Sequence, residues 1–372
     1  MTLKKKCLVL VSNDITFDQR VRKTCDTLVA NEFQIELVGV KKKLSQPLNR
    51  PYTTIRKNVF FSKGWLFYAF LNLRFFFHVL FRSYDLVWCN DLDTLLPAAI
   101  LKRWKKFILI YDSHEYFTEA EGLTGRTKIK HIWERIERYS VQKVDVFITV
   151  NQSIASIYSA KYNQSIHVLR NMPNALNNNA ALEIHLPTDF VLLQGAYIDP
   201  DRGGMELVAA FQFLDSKKLL VVGSGRDIPN MKKFVAEKGL HEKVVFIDRL
   251  PPNELRELTK KAWLGVSLDK PVHLNYTLSL PNKIFDYIHA EIPVLVSPLV
   301  ELKGIVEHYN VGIVLPEVTP AAIAEAIQEL SEEQRQLYIQ NTKLAKLELV
   351  WENDAQTVMD AIKMQIQRLG LI

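Results

Sequence analysis

Three stretches in the second half of the chain carry residue types suited to holding a phosphorylated ligand. Gly195 follows the apolar run Phe190–Leu193 and precedes Asp199, Pro200, Asp201, Arg202, Gly203 and Gly204. Gly223, Ser224 and Gly225 follow a second run, Leu219–Val222. Leu280, Pro281, Asn282, Lys283 and Asp286 open a third segment, Leu280–Ser297. This last segment reads as a loop, a short helix with Lys283 and Asp286 on one face, a turn at Pro293 and a buried strand. Glycine lets a phosphate approach the backbone, and arginine supplies a charge-assisted fork to it. A helix start offers unpaired N–H groups and a positive dipole end. A carboxylate one turn further in accepts hydrogen bonds from ribose hydroxyls. Each stretch alone also fits an ordinary glycine turn or a capped helix feeding a sheet. Three of them at successive strand ends form a stronger pattern than any one.

The first half has its own chemistry-bearing residues. Asp91 and Asp93 follow the apolar run Leu86–Cys89. Two carboxylates at a strand end suit a divalent cation carrying a diphosphate. The same spacing suits a helix cap, since Asp91 precedes the apolar stretch Leu95–Leu101. The cap is the preferred reading, because the nucleotide-like turns lie in the other half. His114 stands just beyond another apolar run, Phe107–Tyr111, and Asp18 and Arg20 stand at the start of a helical pattern.

The elements that must position these groups alternate regularly. Leu8–Val11, Ile35–Val40, Leu86–Cys89, Phe107–Tyr111 and Val144–Val150 are continuous apolar runs, with helical patterns between them. Such runs mark parallel strands covered on both faces. Near residues 174–189 the pattern becomes polar and turn-prone, as an interdomain linker would. Alternation then restarts through Phe190–Leu193, Leu219–Val222, Val244–Ile247 and Leu264–Ser267, and a long helix closes the chain over Asn353–Leu369. The expected organisation is α/β, with two Rossmann-like doubly wound domains over 1–175 and 186–350, followed by a C-terminal helix in 351–372.

With 372 residues, 48% of them hydrophobic, the chain can bury about two cores. The net charge of +6 is uneven. Lys4–Lys6, Lys41–Lys43, Arg56–Lys57, Lys102–Arg103 and Lys105–Lys106 all fall in the first third, and suit either an anionic surface or plain solvation. Cys7, Cys25 and Cys89 are widely spaced, which implies neither a disulfide framework nor a zinc knuckle and fits a reducing cytosol. Trp65–Phe81 is dense in Phe and Leu but holds Asn72, Arg74 and His78. A buried helix and a helix dipping into a membrane interface both fit it better than a transmembrane span.

Taken together, the chain resembles the retaining GT-B glycosyltransferases of family four, the "group one" nucleotide-sugar transferases. The resemblance runs through Asp18–Val21, Tyr111–Glu115, Arg170–Pro173, Gly195 with Arg202 and Gly203, Gly223–Gly225, and Pro281–Tyr287. It implies two domains facing across a cleft, with the nucleotide-diphosphate sugar held by the second domain, a glycan or lipid-linked acceptor by the first, and the last helix, Asn353–Leu369, crossing back onto the first domain. Gly195, Gly203, Gly223, Ser224, Gly225, Leu280, Pro281, Asn282 and Asp286 then become donor-binding, with Asp286 on the ribose. Arg202 takes the place of the family's diphosphate-binding lysine, with Lys283 assisting. His114 becomes an acceptor-side group near the reacting sugar, and Asp18, Arg20 and Asn171 lie on the acceptor side. For His114 a purely structural strand-end histidine is the competing reading, and for Asp18 and Arg20 it is a helix-start carboxylate with a salt-bridge partner.

The chain departs from the family at Leu278, where the first glutamate of a Glu-x7-Glu pair would fall, at Ala196, in place of a common arginine, and at Glu291, in place of a common glycine. The resemblance implies front-face attack assisted by the leaving phosphate, with no cofactor and no metal. A peripheral enzyme on the inner face of the membrane, building cell-surface polysaccharide and binding no nucleic acid, is the expectation. A GT-B nucleotide-sugar epimerase, a metal-dependent GT-A transferase using Asp91 and Asp93, and an inactive sugar-nucleotide binding module are the alternatives.

Overall fold

The computed structural model describes residues 4–16, 18–43, 45–175 and 187–370. The chain forms two compact units, Met1–Asn171 with Glu352–Ile372, and Met172–Trp351.

The first unit is built on seven strands: β1 (Lys6–Leu10), β2 (Gln34–Val40), β3 (Thr53–Lys57), β4 (Leu86–Asn90), β5 (Ile108–Ser113), β6 (Val146–Thr149) and β7 (Ile166–Val168). They are ordered β3-β2-β1-β4-β5-β6-β7 and every pairing is parallel. Helices α1 (Gln19–Ala30), α2 (Gly64–Leu80), α3 (Leu92–Leu101), α4 (Thr127–Val141) and α5 (Gln152–Tyr162) make the crossovers. The central strands are apolar up to their carboxyl ends because helices cover both faces; Cys7 to Leu10 are fully buried. Strand order reverses between β1 and β4. The carboxyl ends at such a switch point are where open α/β sheets bind ligands.

The second unit repeats this plan with β8 (Phe190–Gly195), β9 (Lys218–Gly223), β10 (Val244–Ile247), β11 (Leu264–Ser267), β12 (Val294–Val296) and β13 (Gly312–Val314). The order is β10-β9-β8-β11-β12-β13, again all parallel, with the switch point between β8 and β11. The helices are α6 (Gly204–Ala210), α7 (Ile228–Glu237), α8 (Pro252–Thr259), α9 (Leu274–Thr277), α10 (Lys283–His289), α11 (Val300–Tyr309), α12 (Pro320–Glu329) and α13 (Glu332–Glu348). Successive residues of β8 point to opposite faces. Val191 and Leu193 enter one core, and Phe190 and Leu192 enter the other. The final helix, α14 (Trp351–Arg368), belongs to the first unit from Glu352 onward. Asp354 on it receives two hydrogen bonds from the Arg170 side chain, at 2.8 and 2.7 Å.

Several sequence expectations need correction. The division between units falls at Asn171/Met172 rather than after residue 175. Much of the expected linker, residues 176–186, lies outside the described residues. Strands β3 and β7 at the edges of the first sheet lack a continuous apolar run, since their side chains are half-exposed and include Thr53, Thr54, Arg56, Lys57 and His167. Among the described residues, no helix is long and apolar enough to cross a membrane. The three cysteines are buried free thiols.

Candidate functional site

In the second unit, charged side chains converge beyond β11. Asp269 is fully buried. Arg202 Nη1 lies 3.1 Å from its Oδ2, and Lys283 Nζ lies 3.8 Å from its Oδ1. Arg202 closes a single 3-10 turn and also packs over the Tyr276 ring, 4.7 Å from the centroid. Gly203 follows with φ +68°, and a Cβ there would meet Leu268 O at 2.3 Å. Only glycine lets that turn approach β11 closely enough to set Arg202 on Asp269. Burial, with Arg202 adding to it, holds the Lys283 amine below its ordinary range against the opposing pull of Asp269. Two cations on one carboxylate leave the cluster with net positive charge.

Helix α10 is fixed beside this cluster by Tyr287. Its buried hydroxyl lies 3.2 Å from Leu192 O and 3.1 Å from Val266 O, so it ties α10 to both switch-point strands. Gly265 makes room, since a Cβ there would sit 2.4 Å from the Tyr287 ring. Asp286, one residue earlier, is exposed and accepts from Gln194 Nε2 at 3.3 Å. Gln194 Oε1 accepts in turn from Thr259 Oγ1 at 2.8 Å. Leu280 and Pro281 are half-buried and Asn282 is exposed, at the start of α10. Leu278 caps the end of α9 and is 9% exposed, so position 278 offers an apolar surface where a carboxylate was expected.

The turns after β8 and β9 are latched together rather than standing free. Ser224 O accepts from Ile198 N at 2.8 Å, and Ser224 Oγ donates to Ala196 O at 3.2 Å. A Cβ on Gly223 would lie 1.9 Å from Gly195 O, and one on Gly225 would lie 2.1 Å from Ile198 O. The need for glycine at 223 and 225 is therefore met by chain packing before any ligand is considered. Gly195 is different, because only the Ile198 side chain comes close to an added Cβ.

The first unit gathers a separate cluster at the carboxyl ends of β4 and β5. Arg20 reaches from α1 and pairs with the fully buried Asp112, at 3.1 Å through Nε and 2.6 Å through Nη2. Its Nη1 donates to Leu169 O at 2.7 Å. His114 Nδ1 lies 3.2 Å from Asp91 Oδ2, and its Nε2 lies 3.5 Å from Asp112 Oδ2. The His114 backbone N–H donates to Asp91 Oδ1 at 2.9 Å. Burial alone would lower the imidazole pKa. Asp91 and then Asp112 override it and lift His114 to about 9. Burial would raise Asp112, but Arg20 and His114 hold it well below the usual carboxylate range. Burial and the Asp91 charge push Asp93 up to about 7, and the same two causes lift Glu115 to about 7.

Asp91 corrects the sequence reading. It occupies the N-cap position of α3 but makes no side-chain cap; its carboxylate is turned to His114 instead. Its backbone, at φ +63° and ψ 164°, lies in a region that is essentially reserved for glycine. Such strain costs of order 1–3 kcal/mol and persists where surrounding structure over-determines it. Arg20 is also corrected: its ion-pair partner is Asp112, not Asp18. Asp18 is the side-chain cap of α1, accepting from Val21 N at 3.0 Å and from Asn13 Nδ2 at 3.0 Å. Asn171 Oδ1 accepts from Lys23 Nζ at 2.5 Å. Among the described residues, no group of three or more His, Cys, Asp or Glu side chains is arranged to hold a metal ion. Asp269 and Gln194 escaped the sequence reading. The only available signal for them was their place just past β11 and at the end of β8.

Two parallel sheets with covering helices match the GT-B fold of solved glycosyltransferases. The chain superposes on a sucrose-phosphate synthase from Thermosynechococcus elongatus with TM-score 0.80 at 17% identity, over 98% of this chain and 100% of that one. Anabaena HepE, in complex with UDP and glucose, matches with TM-score 0.73 at 12% identity, over 96% and 99%. A lipopolysaccharide outer core galactosyltransferase, WaaB, matches with TM-score 0.69 at 13% identity, over 97% and 99%. No curated protein matches the sequence. Residues 190–333, within the second unit, match the family model for glycosyl transferases group 1.

Proposed function

We propose that the protein transfers a glycosyl group from a nucleotide-diphosphate sugar to a glycan or lipid-linked acceptor, with retention at the anomeric carbon. The observation that carries this reading is the pair Arg202 and Lys283 held on buried Asp269 at the switch point of the group 1 domain. Breaking the sugar–phosphate bond builds negative charge on the departing diphosphate. Fixed cations at that point stabilise charge where it develops. Asp286, beside Gln194, accepts from the donor's ribose hydroxyls. The acceptor hydroxyl oxygen bonds to the anomeric carbon as the carbon–phosphate oxygen bond breaks. Its proton passes to the leaving diphosphate, so no covalent enzyme intermediate and no metal is required.

His114 enters this scheme as a cation. With a pKa lifted to about 9 it carries its proton at neutral pH, and so serves as a hydrogen-bond donor to a sugar on the acceptor side, not as a base. Arg20 supports it through Asp112. HepE is seen with UDP-glucose, which makes uridine diphosphate sugars the first donors to try. A role in cell-surface polysaccharide assembly, at the cytoplasmic membrane face, fits the exposed aromatic face of α2 and the basic clusters of the first unit.

The reading is tested by incubating the protein with nucleotide-sugars and acceptors in the presence of EDTA and assigning the product's anomeric configuration by NMR. A retained configuration that survives EDTA is expected. An inverted product or full EDTA inhibition would contradict it. Epimerised donor formed without acceptor would favour the epimerase instead.

A further inference from the structure

Helix α2 presents apolar side chains on both faces. Leu71, Phe75, His78 and Val79 form its buried side. On the other side, Leu66, Leu73, Phe77 and, just beyond the helix, Phe81 are 39%, 50%, 46% and 75% exposed. A helix on the surface of a soluble domain carries polar residues at such positions, and clustered apolar exposure marks an interaction surface.

At the C-terminal end of this face the Phe77 and Phe81 rings stack, with centroids 6.0 Å apart. They rim an open cavity of about 350 Å³ whose other lining residues are Lys57, Arg74, His78 and Arg82. The charge there is unbalanced. Glu36 is the carboxylate in reach, 4.0 Å from Arg82 Nε. Its Oε1 is already engaged by Tyr84 OH at 2.7 Å and by His78 Nε2 at 2.5 Å. Among the described residues, Lys57 and Arg74 have no ion-pair partner, and Arg74 lies 5.8 Å from the Phe70 ring centroid. Burial, then repulsion from Arg82 and Arg74, holds the Lys57 amine below its ordinary range. A lysine ammonium and two guanidinium forks are the donor set that recognises phosphate.

We propose that this cavity binds the phosphate of an anionic phospholipid headgroup, with Phe77 and Phe81 seated at the acyl boundary. The proposal rests on the membrane-facing reading of the first unit and adds a defined headgroup contact to it. A soluble phosphate would use the three cations but would leave the aromatic rim uncovered. A membrane satisfies both.

The test is co-sedimentation of the full chain with vesicles of phosphatidylcholine alone or mixed with phosphatidylglycerol. The wild type is expected to bind the mixed vesicles only. The double variant Lys57→Gln/Arg74→Gln should lose about thirtyfold in affinity, the scale of two cations leaving an anionic surface. Phe81→Ser should also weaken binding. The control Lys238→Gln/Lys261→Gln removes the same charge from exposed positions of the second unit, outside the cavity and outside the basic clusters of the first unit, and should cost less than about fivefold. Thermal midpoints near wild type will show that the variants fold. Equal losses in both double variants would overturn the headgroup site while leaving a diffuse membrane attraction. No binding to mixed vesicles would overturn the site and the membrane reading together. Thermal stabilisation by millimolar inorganic phosphate, lost in the double variant and without vesicle binding, would make the cavity a soluble-anion site instead.

Discussion

The residues proposed to carry the chemistry are fixed by one another more than by their sequence motifs. Arg202 and Lys283 are aimed by Asp269, a carboxylate in a loop with no motif of its own. Arg202→Ala should cut kcat/KM by about 10²–10³, the usual cost of losing one preorganised charge-stabilising donor. Asp269→Asn should leave both cations in place but unaimed, so steady-state kinetics should show a smaller loss. On the first unit, His114 owes its proton to Asp91. Its folded-state pKa, about 9, is raised above the ordinary 6.5. The stability this contributes is complete below about 6.5 and is lost as pH rises through about 9. Asp93 and Glu115, acids raised to about 7, act in the same direction between their ordinary range and neutrality. Thermal melts should therefore show the protein losing stability from mildly acidic pH toward pH 9. Asp91→Asn should shift the imidazole titration followed by NMR down toward its ordinary value, and bring the last part of that loss to lower pH. An unchanged titration would mean Asp91 does not hold the charge.

At the scale of elements, the central strands and most crossover helices were readable because two-sided burial writes itself as unbroken apolar runs. The edge strands of the first sheet were not, since a half-exposed strand such as Thr53–Lys57 has no such run, whereas the edge strand Val244–Ile247 has one and was read. The glycine turns were readable as turns but not in their physical cause. Gly223 and Gly225 are required by the close packing of two adjoining turns, and Gly203 by the approach to Leu268. Gly225→Ala should therefore unfold or distort the turn even without ligand, costing at least about 2 kcal/mol in a denaturant titration, the scale of overpacking against backbone. The helix-cap reading of Asp91 failed because tertiary contact with His114 outweighed local capping. The closing helix α14 was legible as a long helix, but its ion pair with Arg170 was not. Asp354→Ala removes a partly buried, two-pronged pair with Arg170 and should destabilise the first unit by about 1.5–3 kcal/mol, the range for hydrogen bonds between charged groups.

At the scale of the whole molecule, each unit has its own sheet, its own switch point and its own charged cluster. In the proposed scheme the donor chemistry falls to the second unit and the imidazolium to the first. Two cores allow two unfolding steps, and a ligand raises the stability of the step that destroys its site. The measurement that bears most directly on the central claim is a calorimetric melt with a panel of nucleotide-diphosphate sugars, beginning with UDP-glucose, on wild type and Arg202→Ala. A donor at a hundredfold excess over Kd adds about 2.7 kcal/mol. The wild type should gain that stabilisation with at least one donor, and Arg202→Ala should lose most of it. If no nucleotide-sugar stabilises the wild type, or if Arg202→Ala is stabilised equally, the Arg202–Asp269–Lys283 cluster is not a diphosphate site.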